Sequence, residues 1–185
     1  MSAADSLTGN LFGGDRKEFP RPSSPCTKDA VFNVDCKGLS DPEAARIVFR
    51  SGIEMTLVGL DVTHEVYWEE ADLEPLINID NERSAFLLQI IRFISGAYES
   101  LTGWRRCVLH DPLAAGVCLF PDLVKTEKRY VDVELNGELT RGMTVVDRRG
   151  RTSLGEKNMQ VALEVDAERF KKQLMQSLLV WVQEG

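Results

Sequence analysis

Apolar residues recur along this chain with two periods, and the alternation between them predicts its elements. Phe86, Leu87, Ile90, Ile91 and Ile94 are spaced so that all fall on one side of a 3.6-residue turn, which predicts a helix over about 82–98. A shorter helix is predicted after Asp41-Pro42-Glu43, where the aspartate caps and the proline occupies a position that needs no donor. Ala44, Ala45, Ile47, Val48 and Phe49 supply its apolar face, and Ser51-Gly52 ends it. Glu54 to Asp61 (EMTLVGLD) is short, mostly apolar and bounded by a turn, as a strand buried on both faces is. Asp111-Pro112 opens a further short helix over LAAGVCLF that Pro121 stops. YVDVEL and MTVVD read as strands around the turn-forming Asn136-Gly137. A strand in MQVALEVD and a helix carrying Phe170, Leu174, Leu178 and Trp181 complete the series.

Helices alternating with short apolar strands predict an α/β layer architecture with an at least partly parallel sheet, and in such sheets ligands gather at the carboxyl ends of the strands. Residues 12–28 hold three prolines, two glycines and mixed charge without an apolar period, so residues 1–29 are expected to form a loop or disordered arm, with order beginning near Ala30. There is no internal repeat, and GxGxxG, P-loop, GxSxG and HExxH signatures are absent.

Composition narrows the partners. The chain has 185 residues, 43% of them hydrophobic, enough to bury a core. Its 29 acidic against 22 basic residues give a formal charge of −7, which argues against nucleic acid or an anionic membrane as the main partner, since either calls for a basic face. No apolar run approaches the roughly 20 residues of a spanning helix, and MSAADSLTGN lacks the basic start and apolar centre of a secretory signal, so a soluble cytoplasmic protein is expected. Cys26, Cys36, Cys107 and Cys118 show no zinc-type spacing; reduced thiols are the default, although their even number also allows disulfides.

Four stretches carry a family resemblance: DPEAARIVFRSG (41–52) followed by MTLVGLDVTH (55–64), then HDPLAAG (110–116), then GELTRGMTVVDRRG (137–150). In that order they resemble the inosine/uridine-preferring nucleoside hydrolases, which cleave the N-glycosidic bond of purine and pyrimidine ribonucleosides to base and ribose. The resemblance runs from about Asn33 to the C-terminal helix and matches the later half, or a little more, of a family chain. It implies a nucleoside-hydrolase-like open, mostly parallel sheet with flanking helices, truncated at its N-terminal side, with residues 30–185 as the C-terminal portion of the domain.

The resemblance also assigns roles. In these enzymes a calcium ion held by carboxylates binds the ribose hydroxyls and the attacking water, while a histidine beside the base protonates the leaving group. Asp111 then corresponds to a calcium ligand and His110 to the leaving-group acid, a role that suits an imidazole because its pKa lies near working pH. Read without the resemblance, His-Asp-Pro is an ordinary helix start. Asn33 corresponds to an asparagine that holds the sugar, and Gly9-Asn10 to an upstream glycine-asparagine whose asparagine does the same. Tyr98, with Trp104 and Arg105, lies where family members carry a segment over the base. An aromatic ring there stacks on a nucleobase, or serves packing or the surface. His64 follows a strand end where Asp61 and Thr63 are placed to cap the next turn, which favours a structural role.

Departures from the pattern matter equally. The family's calcium site is built chiefly by D-x-D-x-G-x-D-D at the start of the chain, and MSAADSLTGNLFGG contains only Asp5. Calcium takes about 6 to 8 oxygen ligands, so Asp111 alone is expected to bind it weakly. Where the family reads A-E-F-N, this chain has Ala30-Val31-Phe32-Asn33, and valine offers no hydrogen bond to ribose. Asp35 to Ser40 occupy a gap longer than the family's. Two expectations follow. One is a nucleoside hydrolase whose metal half comes from elsewhere. The other is a truncated, non-catalytic relative with a weak nucleoside-binding or association role, inactive when isolated. Removing leading strands uncovers apolar edges, so a homo-oligomer, or completion by a missing N-terminal half, is expected.

Overall fold

The computed structural model describes residues 30–34, 41–149 and 155–184; the expected 1–29 arm, with Asn10, lies outside them. The described chain divides into two compact units. One holds Val66–Leu109 and the residues from Ala167 onward; the other holds those up to Glu65 and His110–Asp166.

The second unit is built on a four-stranded sheet. Strands β1 (Ala30–Val34), β2 (Met55–Gly59), β5 (Val124–Arg129) and β8 (Met159–Val165) lie in the order β1-β2-β8-β5. β1 and β8 both run parallel to β2, and β5 closes the far edge antiparallel to β8. The sheet is therefore mostly parallel, as the alternation of elements predicts. Strand β5 is absent from the sequence-based expectation because VKTEKR shows no apolar alternation. It is an edge strand with Lys125, Thr126, Glu127 and Lys128 exposed, and charge on an edge discourages pairing with other chains.

Helix α1 (Pro42–Phe49) starts as predicted, with Asp41 Oδ1 accepting from Ala44 N at 2.9 Å. It buries Phe49 and packs Ala45 and Val48 onto a core of Met55, Leu57, Val131, Val133, Met159 and Val161, while Ile47 stays exposed. Strands β6 (Val131–Val133) and β7 (Thr144–Val146) pair antiparallel as expected, with Asn136-Gly137 inside a longer connection closed by Gly142 N donating to Glu134 O. Asn158, a loop residue without any sequence signal, joins these pieces. Its Nδ2 donates to Phe49 O and Val131 O, and its Oδ1 accepts from Val131 N.

Asp132 anchors α1 to β6. Burial alone raises its carboxyl pKa, but bonds from Arg50 and from Val133 N, with Arg46 Nε 3.3 Å away, outweigh burial and hold it below its ordinary value. A carboxyl lowered in the folded state stabilises it above the unfolded pKa, and that stabilisation disappears as pH falls through the folded pKa. Asp132→Asn is expected to cost about 1–3 kcal/mol at pH 7, discounted for the half-exposed Arg50. In urea melts the gap to the parent should narrow below about pH 4; a gap that persists into acid would contradict this account.

In the first unit, β3 (Tyr67–Trp68) and β4 (Cys107–Val108) pair antiparallel, and Leu109 N donates to Val66 O at the end of the ladder. A 3₁₀ turn (Glu70–Leu73) and helix α3 (Glu74–Ile77) lead to helix α4 (Glu82–Thr102). Asn81 caps α4 and Gly103, in the left-handed region at φ 79°, stops it. Its buried row is Ser84, Leu88, Ile91 and Ser95, so of the predicted face Ile91 is buried whereas Phe86, Ile90 and Ile94 are exposed. Two apolar rows lie side by side on this helix. The buried one carries small serines whose hydroxyls are satisfied by Leu76 O and Ile91 O. Periodicity marks an apolar side but not which row has a partner. Helix α6 (Ala167–Gln183) buries Phe170, Met175 and Val182, leaving Leu174 and Leu178 half-buried and Trp181 exposed.

Among the described residues, no helix is long and apolar enough to cross a membrane. Cys107 is a buried free thiol whose pKa burial pushes up, which removes it as a thiolate nucleophile. Cys118 is disulfide-bonded, correcting for that residue the expectation of reduced thiols.

Candidate functional site

The carboxyl ends of β1 and β2 lie level, with Val34 opposite Gly59. The chain then turns at once into a single helical turn, α2 (Leu60–Thr63), with His64 as its C-cap. Asp61 does not cap α2, whose N-cap Gly59 makes no side-chain bond. Its carboxylate pairs with Arg148 at 3.2 Å, an exposed contact worth little in stability. Thr63 does not cap either. Its buried hydroxyl lies 2.7 Å from His110 Nδ1. The capping expected of Asp61 and Thr63 is thus replaced by longer-range partners, because backbone bonds already complete this short turn.

His110 is the first residue of helix α5 (His110–Leu119), two positions before Pro112, where the Asp111-Pro112 signal places the helix start. Asp111 therefore stands in the first turn and is exposed, a favourable place for an anion beside the positive end of the helix. Leu113, Ala114, Gly116 and Val117 bury the other face and fix the helix in its unit. His64 is exposed, and its ring meets the His110 ring edge-on, with centroids 5.3 Å apart and planes at 66°.

Thr63, His64, His110 and Asp111 thus gather beyond the strand ends, where α/β sheets present ligands. Asn33 belongs to the same unit, on β1 opposite Val58, one residue before the strand ends. Tyr98 belongs to the other unit, on α4, where Arg106 lies 5.4 Å from its ring and also covers Tyr67 and Trp104. Sequence reasoning passed over Thr63 as a partner of His110 and Arg148 as a partner of Asp61. Both stand in the quoted motifs LDVTH and VVDRRG, but nothing in their spacing states which distant residue each meets.

The calcium expectation meets a limit here. Among the described residues no group of three or more His, Cys, Asp or Glu side chains is placed to hold a metal ion. Calcium takes about 6 to 8 oxygens, so a site that includes Asp111 requires ligands beyond the described residues.

The class is an α/β protein with a mostly parallel sheet, and its histidine and carboxylate stand at a helix start beyond the strand ends, where such folds present ligands. The chain belongs to the inosine-uridine preferring nucleoside hydrolase family, which it matches over residues 30–172. It is 36% identical over 144 residues to the inosine-uridine preferring nucleoside hydrolase of Crithidia fasciculata, covering 78% of this chain and 44% of that protein. To the pyrimidine-specific ribonucleoside hydrolase RihA of Salmonella typhi it is 37% identical over 153 residues, covering 82% and 48%. Among solved structures, the purine-preferring ribonucleoside hydrolase from Gardnerella vaginalis superposes with a TM-score of 0.69 at 34% identity, covering 78% of this chain and 45% of that one. The chain spans about half the length of the relatives it matches.

Proposed function

We propose that this chain carries the leaving-group side of a ribonucleoside hydrolase site. His110 is the donor to the departing base and Asp111 is one carboxylate of the sugar-side cation site. The reaction breaks the C1′–N bond. Its electron pair passes to the base nitrogen, the base takes a proton from His110, water adds to C1′ and releases its proton to solvent, and His110 is reprotonated from solvent. Protonating the base matters because a purine or pyrimidine anion is a poor leaving group near neutral pH. Asn33, with Asn10, is proposed to contact the ribose hydroxyls. The remaining oxygens for calcium have to come from outside the described residues. The observation that carries the reading is the held imidazole beside an exposed first-turn carboxylate, at the strand ends of a family member.

One observation favours a second reading, a non-catalytic nucleoside-binding or association protein: Asp111 has no cluster of further metal-type ligands among the described residues. Ribose release from inosine and uridine, measured with added calcium and with chelator, separates the two. Calcium-dependent release by the purified chain is expected if the first holds. Its absence at enzyme concentrations near those of substrate would leave the second.

A further inference from the structure

We propose that Thr63 is the positioning residue of His110, its hydroxyl donating to Nδ1 and so keeping a proton on Nε2. This rests on the reading of His110 as the leaving-group donor and extends it to a residue that otherwise looks like part of a short helical turn.

Thr63 is fully buried, and its Oγ1 lies 2.7 Å from Nδ1. Among the described residues, Nδ1 is the one hydrogen-bond partner of that hydroxyl. A neutral imidazole has one donor nitrogen and one acceptor nitrogen. If Nδ1 bore the hydrogen, the threonine oxygen would accept and its own hydrogen would be buried without an acceptor, which carries the full desolvation penalty of a donor. The hydroxyl therefore donates, Nδ1 accepts, and the neutral ring carries its hydrogen on Nε2. When the ring is doubly protonated, the same hydroxyl can turn to accept from Nδ1–H. Nε2 bears a proton in both states, as a donor to a leaving base requires.

The holding geometry is local and stiff. Thr63 is β-branched, which restricts χ1, and it sits at the end of α2 directly after the buried Val62. The next residue, His64, sets its ring edge against His110, so consecutive residues restrain both the ring's hydrogen bond and its plane. A valine at 63 would retain the branched shape and lose only the hydroxyl.

The test reads the tautomer directly. The chain has two histidines, so long-range ¹H–¹⁵N spectra of the labelled full chain at alkaline pH resolve both; His64→Ala assigns them. The Nε2–H form is expected to dominate at His110, Thr63→Val to produce a mixture of tautomers, and Thr63→Ser to restore the parent pattern. An Nδ1–H form in the parent, or an unchanged tautomer in a folded Thr63→Val chain, overturns the proposal. If Thr63→Val does not fold, the parent spectrum and the comparison of Thr63→Ser with Thr63→Ala decide in the same way. No turnover is needed for this readout. An Nε2–H ring without ribose release would sink the hydrolase reading and leave the positioning intact, whereas ribose release with an Nδ1–H ring would sink the positioning alone.

Discussion

Replacing His110 with alanine is expected to slow release of a purine base by about 10²–10⁴-fold, the usual contribution of a positioned general acid. The loss should depend on the leaving group. A riboside whose leaving group is stable as an anion, such as p-nitrophenolate, needs no proton and should lose far less. Equal losses on both substrates would mean that His110 only supports the fold, since a collapsed site treats all leaving groups alike. Asp111→Asn offers the complementary measurement. It keeps the side chain's shape and removes its charge, so a sugar-side role predicts loss of calcium dependence with either leaving group. Both residues open helix α5, and circular dichroism of the variants separates chemistry from unfolding.

The second large effect is structural. Asn158→Ala should destabilise the chain by about 3 kcal/mol, because it removes partners from Phe49 O, Val131 O and Val131 N together. Each buried backbone group left unsatisfied costs about 1–3 kcal/mol, and partial access of water lowers the sum. Asn158→Asp is the informative control. It keeps the acceptor for Val131 N but sets a carboxylate against two carbonyl oxygens, so it should be no better than alanine at neutral pH. A urea midpoint within experimental scatter of the parent for both variants would refute this role.

These two residues show how unevenly the sequence discloses the molecule. The helix start at Asp41 and the buried strand at Met55–Gly59 follow local rules of capping and apolar runs, so they could be read from a few residues, whereas α4 runs past its expected end near 98 to a stop at Gly103. His110 and Asp111 stood out through a motif, and the structure sets them at the strand ends that an α/β pattern predicts. Asn158 and Thr63 did not stand out, because each acts through partners far along the chain: Asn158 through Phe49 and Val131, Thr63 through His110. Side-chain hydrogen bonds over such separations leave no period. Helix α4 failed for a different reason. Its exposed row of Phe86, Ile90 and Ile94 is the more apolar in pattern, and only tertiary packing selects the row with Ser84 and Ser95.

The zipped base formed by Val66 with Leu109 and by β3 with β4 has an evolutionary consequence. The chain departs just after His64 and returns at His110, so everything between, together with helix α6 that packs on it, is a cassette tied off at its own root. Such a cassette can be lengthened, shortened or exchanged among descendants while the threonine and imidazole at its two entry points keep their grip on one another.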